Sequence, residues 1–241
     1  MKFAPDYSRA TYDPQLRDTS ASTVQPIAVD VLTGQLRTIG GTSTKSGIFK
    51  LPITTPVFVD WNGLSGDVQA DLRFHGGRDK AIHHYPFENY EFWSKIYPDS
   101  EFDRARPGYV GENISTIGYT ESEVCIGDIF ELGEAIVQIS EGRTPCRKLD
   151  MRFEIGGLGR KIRNTGKIGW YYRVLRRGSL KSGDILRLTE RPFPNWTVER
   201  VHNLIFKNNF NENDLNSIIN IDTLGRSWKS KAVKKINNRK K

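Results

Sequence analysis

The chain has 241 residues, of which 37% are hydrophobic and 11% aromatic, and it contains two cysteines. No apolar run approaches the roughly 20 residues that cross a bilayer, and the amino terminus lacks the apolar core of a secretion signal. These features argue against a membrane protein and against a disulfide-framed secreted domain. We therefore expect a globular protein of one or two domains in the reducing cytoplasm.

The formal net charge of +8 is distributed unevenly along the chain. The last thirteen residues hold seven cations and no acid, so the other 228 residues sum to only +1. Within those 228 residues, the block 143–187 carries a net charge of +10, which predicts a site for an anionic ligand. We interpret the basic end, residues 231–241, as a disordered tail; weak attraction to nucleic acid or a membrane surface is the alternative.

The predicted elements begin after a polar, aperiodic segment, residues 1–25, which we expect to be a loose extension. Alternating apolar residues then predict a series of short strands. The first begins at Ile27, and the others cover 56–61, 121–132, 134–140, 168–175 and 183–188. One helix is predicted over 86–98, between two prolines, and a weaker one runs from Cys146 to about Arg163. Many short strands with glycine-rich turns predict a mainly β, barrel-like and mostly antiparallel domain over residues 26–191.

The pattern changes to helical after this domain. Apolar residues at helical spacing predict three short helices, and Thr197 and either Asn211 or Asn213 are candidate N-caps. We place a small three-helix domain at residues 192–230.

Several common kinds of site are not supported by the spacing of candidate residues. Cys125 and Cys146 form no C-x-x-C pair, and His83 and His84 are adjacent rather than four residues apart, so zinc-ligand spacing is absent. The sequence also lacks a dinucleotide-binding glycine motif, a P-loop and a G-x-S-x-G nucleophile turn.

The two cysteines have different surroundings. Cys125 lies between Val124 and Ile126 and is typical of a small core residue. Cys146 follows a proline in "EGRTPCRKL", among cations that favour a thiolate. From the residues alone, Cys146 can be a nucleophile, a ligand of a soft metal or an inert side chain.

Two further stretches are candidate sites. The stretch "RFHGGRDKAIHHYP" combines His75 and cations with a Gly-Gly turn that permits close approach of an anion, although a simple turn explains it equally well. In "PGYVGENIST", Asn113 can present an amide to a ligand or only order its own turn.

Taken together, the ordered motifs resemble the MOSC family, and most closely its YiiM-type members. They are "KSGIFK", "GLSGDVQADLRFHGGRDKAIHHYP", "VGENIST", "ESEVCIGDIFELGEAIVQISEGRTPCRKL", "NTGKIGWYYRVL" and "GDILRL". The resemblance covers residues 27–228, and the segment from Thr197 to Trp228 is similar to the three-helix domain of those proteins.

The resemblance implies a β-barrel-like fold that binds a pterin-based molybdenum cofactor, with Cys146 in the position of the molybdenum ligand and catalytic residue. It also implies cofactor-binding positions, which we assign to Lys45, Ser46, Lys50, His75, Arg78, Asn113, Arg143, Thr144, Arg147 and Lys148.

The activity that the resemblance implies is reduction of N-hydroxylated compounds, such as 6-hydroxylaminopurine, to amines. A separate flavoprotein reductase would supply the electrons, since the chain has no flavin or iron–sulfur motif, and no specific nucleic acid partner is expected. The alternatives are a non-enzymatic carrier of the cofactor or of sulfur, a metal-free hydrolase or transferase that uses Cys146 with His75 or His83 as base, and a nucleic-acid-binding protein that depends on the tail.

Overall fold

The computed structural model describes residues 25–208 and 210–239, so the expected extension lies outside the described residues except for Gln25. The helices are α1 (Leu72–His75), α2 (Phe87–Ile96), α3 (Lys148–Phe153), α4 (Leu158–Thr165), α5 (Val198–Phe206), α6 (Glu212–Ile219) and α7 (Arg226–Arg239). The strands are β1 (Ile27–Ala28), β2 (Asp30–Thr33), β3 (Arg37–Thr38), β4 (Lys45–Ser46), β5 (Leu51–Pro52), β6 (Val57–Asp60), β7 (Gly63–Leu64), β8 (Ile82–His84), β9 (Ile114–Ser115), β10 (Ile129–Leu132), β11 (Ala135–Gly142), β12 (Trp170–Arg176), β13 (Gly178–Leu180) and β14 (Ile185–Glu190).

The main sheet has the strand order β1-β14-β10-β11-β12-β8-β9-β2-β5. Its neighbours pair antiparallel, with the exception of the short parallel pair β8–β9. Because Val29 alone separates β1 from β2 along the chain, the sheet curls back on itself. The prediction of a mainly β, barrel-like fold is therefore confirmed.

Strand β11 forms the centre of the core. All eight of its residues are buried, and it pairs with β10 on one side and β12 on the other. Its apolar residues continue through consecutive positions, as expected for a strand covered on both faces. The strand ends at Gly142, and the chain then leads directly into the segment that carries Cys146.

Two predicted elements differ from the elements that form: one strand is shorter, and one helix is divided in two. Of the strand predicted over 121–132, only β10 forms, because Gly127 adopts a φ of +87° and the Asp128 carboxylate accepts the N–H of Cys125, which makes a turn. The helix predicted from Cys146 to Arg163 is two helices, α3 and α4. Glu154 and Gly157 have left-handed φ values between them, and these interrupt the helical path.

Two predicted helix caps form in the carboxy-terminal helices. The Thr197 side chain accepts a hydrogen bond from the N–H of Arg200 at the start of α5. Asn211, rather than Asn213, caps α6 by accepting from the N–H groups of Asn213 and Asp214. Within the described residues no helix is long and apolar enough to cross a bilayer.

The last helix packs directly on the end of β11. A Cβ atom at Gly142 would lie 2.4 Å from the ring of Trp228, so only glycine permits this approach. The N–H of Gly225 donates to the carbonyl of Ser140 at 2.8 Å, which joins the strand to the start of α7.

The prediction of a disordered tail over 231–241 is wrong for the described part of that segment. Helix α7 continues to Arg239, and Trp228, Ala232 and Ile236 are buried along one face. These residues are four apart, which places them on one side of a helix. The lysines of this segment lie on the other faces of the helix. Because they outnumber the buried apolar residues, the sequence pattern does not show the apolar stripe.

We predict that Ile236→Ala lowers the free energy of unfolding by about 2–4 kcal/mol, since it removes buried methyl groups from the core. The matched control is Val233→Ala on the same helix, where the side chain is 38% exposed and the change should cost less than about 0.5 kcal/mol. Urea unfolding followed by circular dichroism measures both. Equal, small effects would contradict the packing of α7.

Candidate functional site

A cavity of about 570 Å³, counted to include its open mouth, lies where β11 ends. The lining residues are Ser46, Gly47, Ile48, Lys50, Val68, Gln69, Ala70, His75, Lys80, His83, Val110, Gly111, Asn113, Arg143, Cys146, Lys148 and Tyr171. The cavity therefore joins a thiol, several cations and two histidines from distant parts of the chain.

Arg143, like Lys50, is a buried cation that lines this cavity. Its backbone N–H donates to the carbonyl of Gly169 at 3.0 Å, which extends the β11–β12 pairing by one residue. Its side chain is only 6% exposed and lies beside the Tyr171 hydroxyl, where it opposes the rise that burial causes in the pKa of that group. Its Nη1 atom is buried without a hydrogen-bond partner. A buried, incompletely paired guanidinium favours an anionic ligand at this position.

The two cysteines differ in burial, as the residues around each of them predict. Cys125 is buried, its Sγ contacts the carbonyl of Pro194 at 3.4 Å, and burial raises the pKa of its thiol to about 11. Cys146 is a free, half-buried thiol on the cavity wall. It precedes α3, and its carbonyl accepts the N–H of Leu149 at 3.1 Å. Cys146 is thus the cysteine that a ligand in the cavity can reach.

His75 stays uncharged among the cations of the cavity. The pKa of its imidazole is lowered from 6.5 to about 4, first because burial disfavours the charged ring. The charges of Arg143, Lys148 and Lys80 lower it further. At neutral pH the His75 side chain is therefore a hydrogen-bonding group without charge.

His83 is held by the frame of the cavity. Its ring is buried, with the Nε2 atom lacking a hydrogen-bond partner, and burial, with the charge of Arg143, keeps the pKa of His83 well below its usual value. Within the described residues, neither His83 nor His75 forms a hydrogen bond to the sulfur of Cys146. A thiol–imidazole pair for nucleophilic catalysis is therefore not formed in this structure.

Lys50 and Asn113 form a network with Asp67. The Lys50 ammonium and the Asp67 carboxylate form a buried ion pair, and burial lowers the pKa of Lys50 although Asp67 opposes this shift. The Asn113 amide donates to Asp67 at 3.0 Å and to the carbonyl of Leu32 at 3.2 Å, and it accepts the N–H of His83 at 3.2 Å. Both residues line the cavity, but their polar groups mainly hold its wall together.

Comparisons with known proteins match the two parts of this fold. A family model for the MOSC domain matches residues 71–187, and one for the YiiM-like, 3-alpha helix domain matches residues 196–239. Protein YiiM of Escherichia coli (strain K12) is 36% identical over 200 residues, which cover 83% of this chain and 88% of that protein. The chain belongs to the MOSC family.

A solved structure and a second relative add information about this MOSC chain. The crystal structure of YiiM from Escherichia coli aligns with a TM-score of 0.72 and 31% identity, over 87% of this chain and 92% of that one. A protein of Gibberella moniliformis named "Reductase" is 36% identical over 81% of this chain. The matched region is only 35% of that reductase, so most of the fungal protein lies outside it.

Four residues that we predicted to bind the cofactor do not line the MOSC cavity. The backbone carbonyl of Lys45 accepts a hydrogen bond at 3.2 Å from the ammonium of Lys148, which does line the cavity. The Arg78 guanidinium lies 4.6 Å from the centre of the Trp61 ring. The Thr144 hydroxyl accepts from Lys231 of α7 at 3.3 Å, and Arg147 is exposed at the start of α3.

Other lining residues were missed by sequence reasoning. Lys80 lies in the same histidine- and glycine-rich stretch as His75, and the clustered cations there were the available signal. Tyr171 lies on the continuous apolar strand β12, whose pattern does not show which ring faces a cavity. Gly47 lines the wall without any side chain, so composition gives no signal for it.

We predict that the His75 imidazole titrates near pH 4 and is neutral at pH 6, as measured by NMR of the ring carbons. Since the pKa of the folded state lies below that of the unfolded chain, His75 favours folding above pH 6.5, and this contribution is lost as the pH falls towards 4. Lys148→Met should raise the pKa by removing a nearby positive charge. Lys181→Met, on an exposed turn, is the control and should leave it unchanged.

Proposed function

We propose that this protein binds a molybdenum cofactor in the cavity and reduces N-hydroxylated compounds, such as 6-hydroxylaminopurine and related base analogues, to amines. The observation that carries the proposal is the placement of the accessible Cys146 thiol in one cavity with the incompletely paired Arg143. The membership of the MOSC family supports the cofactor, and the name of the fungal relative supports a reductive activity.

The residues present fit such a group. A pterin-based cofactor carries a phosphate, and the buried Nη1 of Arg143 and the ammonium of Lys148 are donors suited to an anion. Within the described residues, no cluster of three or more His, Cys, Asp or Glu side chains could hold a metal ion. A metal here would therefore be held by Cys146 together with ligands that the cofactor brings. Thiolate is a ligand type that soft metal centres prefer.

When bound, the cofactor supplies the two-electron redox chemistry that removes oxygen from an N–OH group, which no side chain of this protein can supply. The protein contributes orientation and charge. Cys146 fixes the metal end of the cavity, and Arg143 and Lys148 balance the negative charge of the group.

Polar groups of the cavity wall can hold the substrate. The uncharged His75 ring offers an N–H donor or a lone pair to a hydroxylamine oxygen without adding a further positive charge. The ammonium of Lys148 can donate to the same oxygen while charge develops there. Apolar residues such as Val68 and Val110 line the cavity and can pack against a flat heterocycle.

The electrons would come from another protein, for which we propose a flavoprotein reductase. The chain has no flavin or iron–sulfur motif of its own. The fungal reductase, most of which lies outside the region similar to this chain, has room for such a component within one polypeptide.

Two alternatives are less well supported. A carrier of the cofactor or of sulfur needs Cys146 but no open space for a substrate beside it, whereas the cavity is open to solvent. A metal-free hydrolase or transferase needs a base bonded to the thiol, and the histidines of this cavity do not provide one in the structure described.

We predict that protein purified from a cofactor-competent host contains close to one molybdenum per chain, and that Cys146→Ala removes it. Elemental analysis by mass spectrometry measures the metal. Cys125→Ala is the matched control and should retain it, because that thiol is buried away from the cavity. A metal-free wild type from a host shown to load another molybdoenzyme would contradict the proposed cofactor.

We also predict that the loaded protein reduces 6-hydroxylaminopurine when a chemical reductant replaces the protein donor. Cys146→Ala should lower kcat/KM at least 100-fold, since the metal would be lost with its ligand, whereas Cys125→Ala should stay within about twofold of wild type. Product formation can be followed by chromatography. A loaded wild type that is inactive towards a panel of N-hydroxylated compounds would favour the carrier alternative.

A further inference from the structure

The start of α7 is capped by carboxylates of the barrel. The first N–H groups of a helix have no acceptor within it, and the preceding Gly225 has no side chain to provide one. The N–H of Arg226 donates to Asp79 Oδ2 at 3.2 Å, and the N–H of Trp228 donates to Glu141 Oε2 at 3.0 Å. Negative charge at this end of a helix is stabilising. The last helix thus depends on the barrel for its caps.

Glu141 contacts both the helix and a residue of the cavity. Its side chain is only 1% exposed, and a Cβ atom at Gly225 would lie 2.6 Å from its Oε2. Its other oxygen, Oε1, lies 3.6 Å from the ammonium of Lys80. Lys80 lines the cavity, whereas Glu141 does not. One buried carboxylate therefore joins the three-helix domain to a cation of the site.

The backbone that carries Lys80 is also fixed. The neighbouring Asp79 is bonded to Arg173 at 2.8 Å, in addition to its contact with α7. The hydroxyl of Ser140 donates to the carbonyl of Asp79, and the N–H of Lys80 donates to the carbonyl of Gly77. Glu141 is therefore one of the groups that set the position of the Lys80 ammonium, which lies at the end of a flexible side chain.

We propose that Glu141 is a positioning residue, which places Lys80 in the cavity for an anionic ligand, and that the three-helix domain forms part of the site through its contact with Glu141. The inference deepens the proposed function, on which it rests for the identity of the ligand. The same carboxylate caps the first turn of α7, so the start of the helix and the Lys80 ammonium share one partner. A separate, independently folding accessory domain would not need this contact.

The test compares Glu141→Gln, Lys80→Met and the double variant. Glutamine keeps an oxygen that can accept the N–H of Trp228, but it loses the charge that holds Lys80. The probe is inorganic phosphate, titrated calorimetrically into metal-free protein, and molybdenum per chain is measured on protein from a cofactor-competent host. We expect each single variant to weaken phosphate binding about 10-fold and the double variant to show no further loss, because both act through Lys80.

The control is Ile236→Ala, which removes buried methyl groups near the far end of α7, eight residues after the N–H of Trp228 that Glu141 accepts, and leaves Glu141 and Lys80 in place. It should lower Tm and keep the phosphate affinity of wild type. Four results would each overturn the inference. They are wild-type phosphate affinity in Glu141→Gln, an equal loss of phosphate affinity in Ile236→Ala, additive losses in the double variant, and no phosphate binding by the wild type. A wild type without molybdenum that shows the expected phosphate pattern would contradict the proposed cofactor and still support the role of Glu141.

Discussion

Two opposite charges are buried at the end of one strand, and the candidate site depends on how each is compensated. Glu141 and Arg143 flank Gly142, where β11 leaves the core. Glu141 accepts a hydrogen bond from the N–H of Trp228, and it forms an ion pair with the ammonium of Lys80 at 3.6 Å. Arg143 lies beside the Tyr171 hydroxyl, and its Nη1 atom is buried without a hydrogen-bond partner. Burial of an incompletely paired charge costs several kcal/mol, so this arrangement is best explained by a ligand that completes the pairing.

The fold also decides which cations remain available to that ligand. Lys50 lies in the cavity wall, but Asp67 occupies its ammonium. Lys231 lies near Glu141 and donates to Thr144 instead of reaching into the cavity. Of the other cations in the cavity, Arg143 and Lys148 come from the short segment that follows β11, and Lys80 pairs with Glu141 of that strand, so the strand end and the site are built together. Such placement on a rigid element limits the rearrangement needed when an anion binds.

The sequence predicted the barrel-like fold because alternating and continuous apolar runs directly reflect burial. It also predicted the cap at Thr197 and the difference between Cys125 and Cys146, since each depends on nearby residues. It failed for the end of α7, where the lysines outnumber the buried Ala232 and Ile236. It also failed to show that Lys50 is neutralised, because its partner is brought in by the path of the chain rather than by local spacing.

The positively charged block over 143–187 illustrates the same limit. Its net charge correctly directed attention to the segment of Arg143 and Lys148, but Arg173, which lies in the same block, is paired with Asp79 from far upstream. Counting charges along the chain cannot separate cations that hold elements together from those that face a ligand. That separation arises from tertiary pairing. Tertiary pairing also explains why helix α7, which resembles an appendage in the sequence, contacts Glu141 and Thr144 on either side of the cavity-lining Arg143.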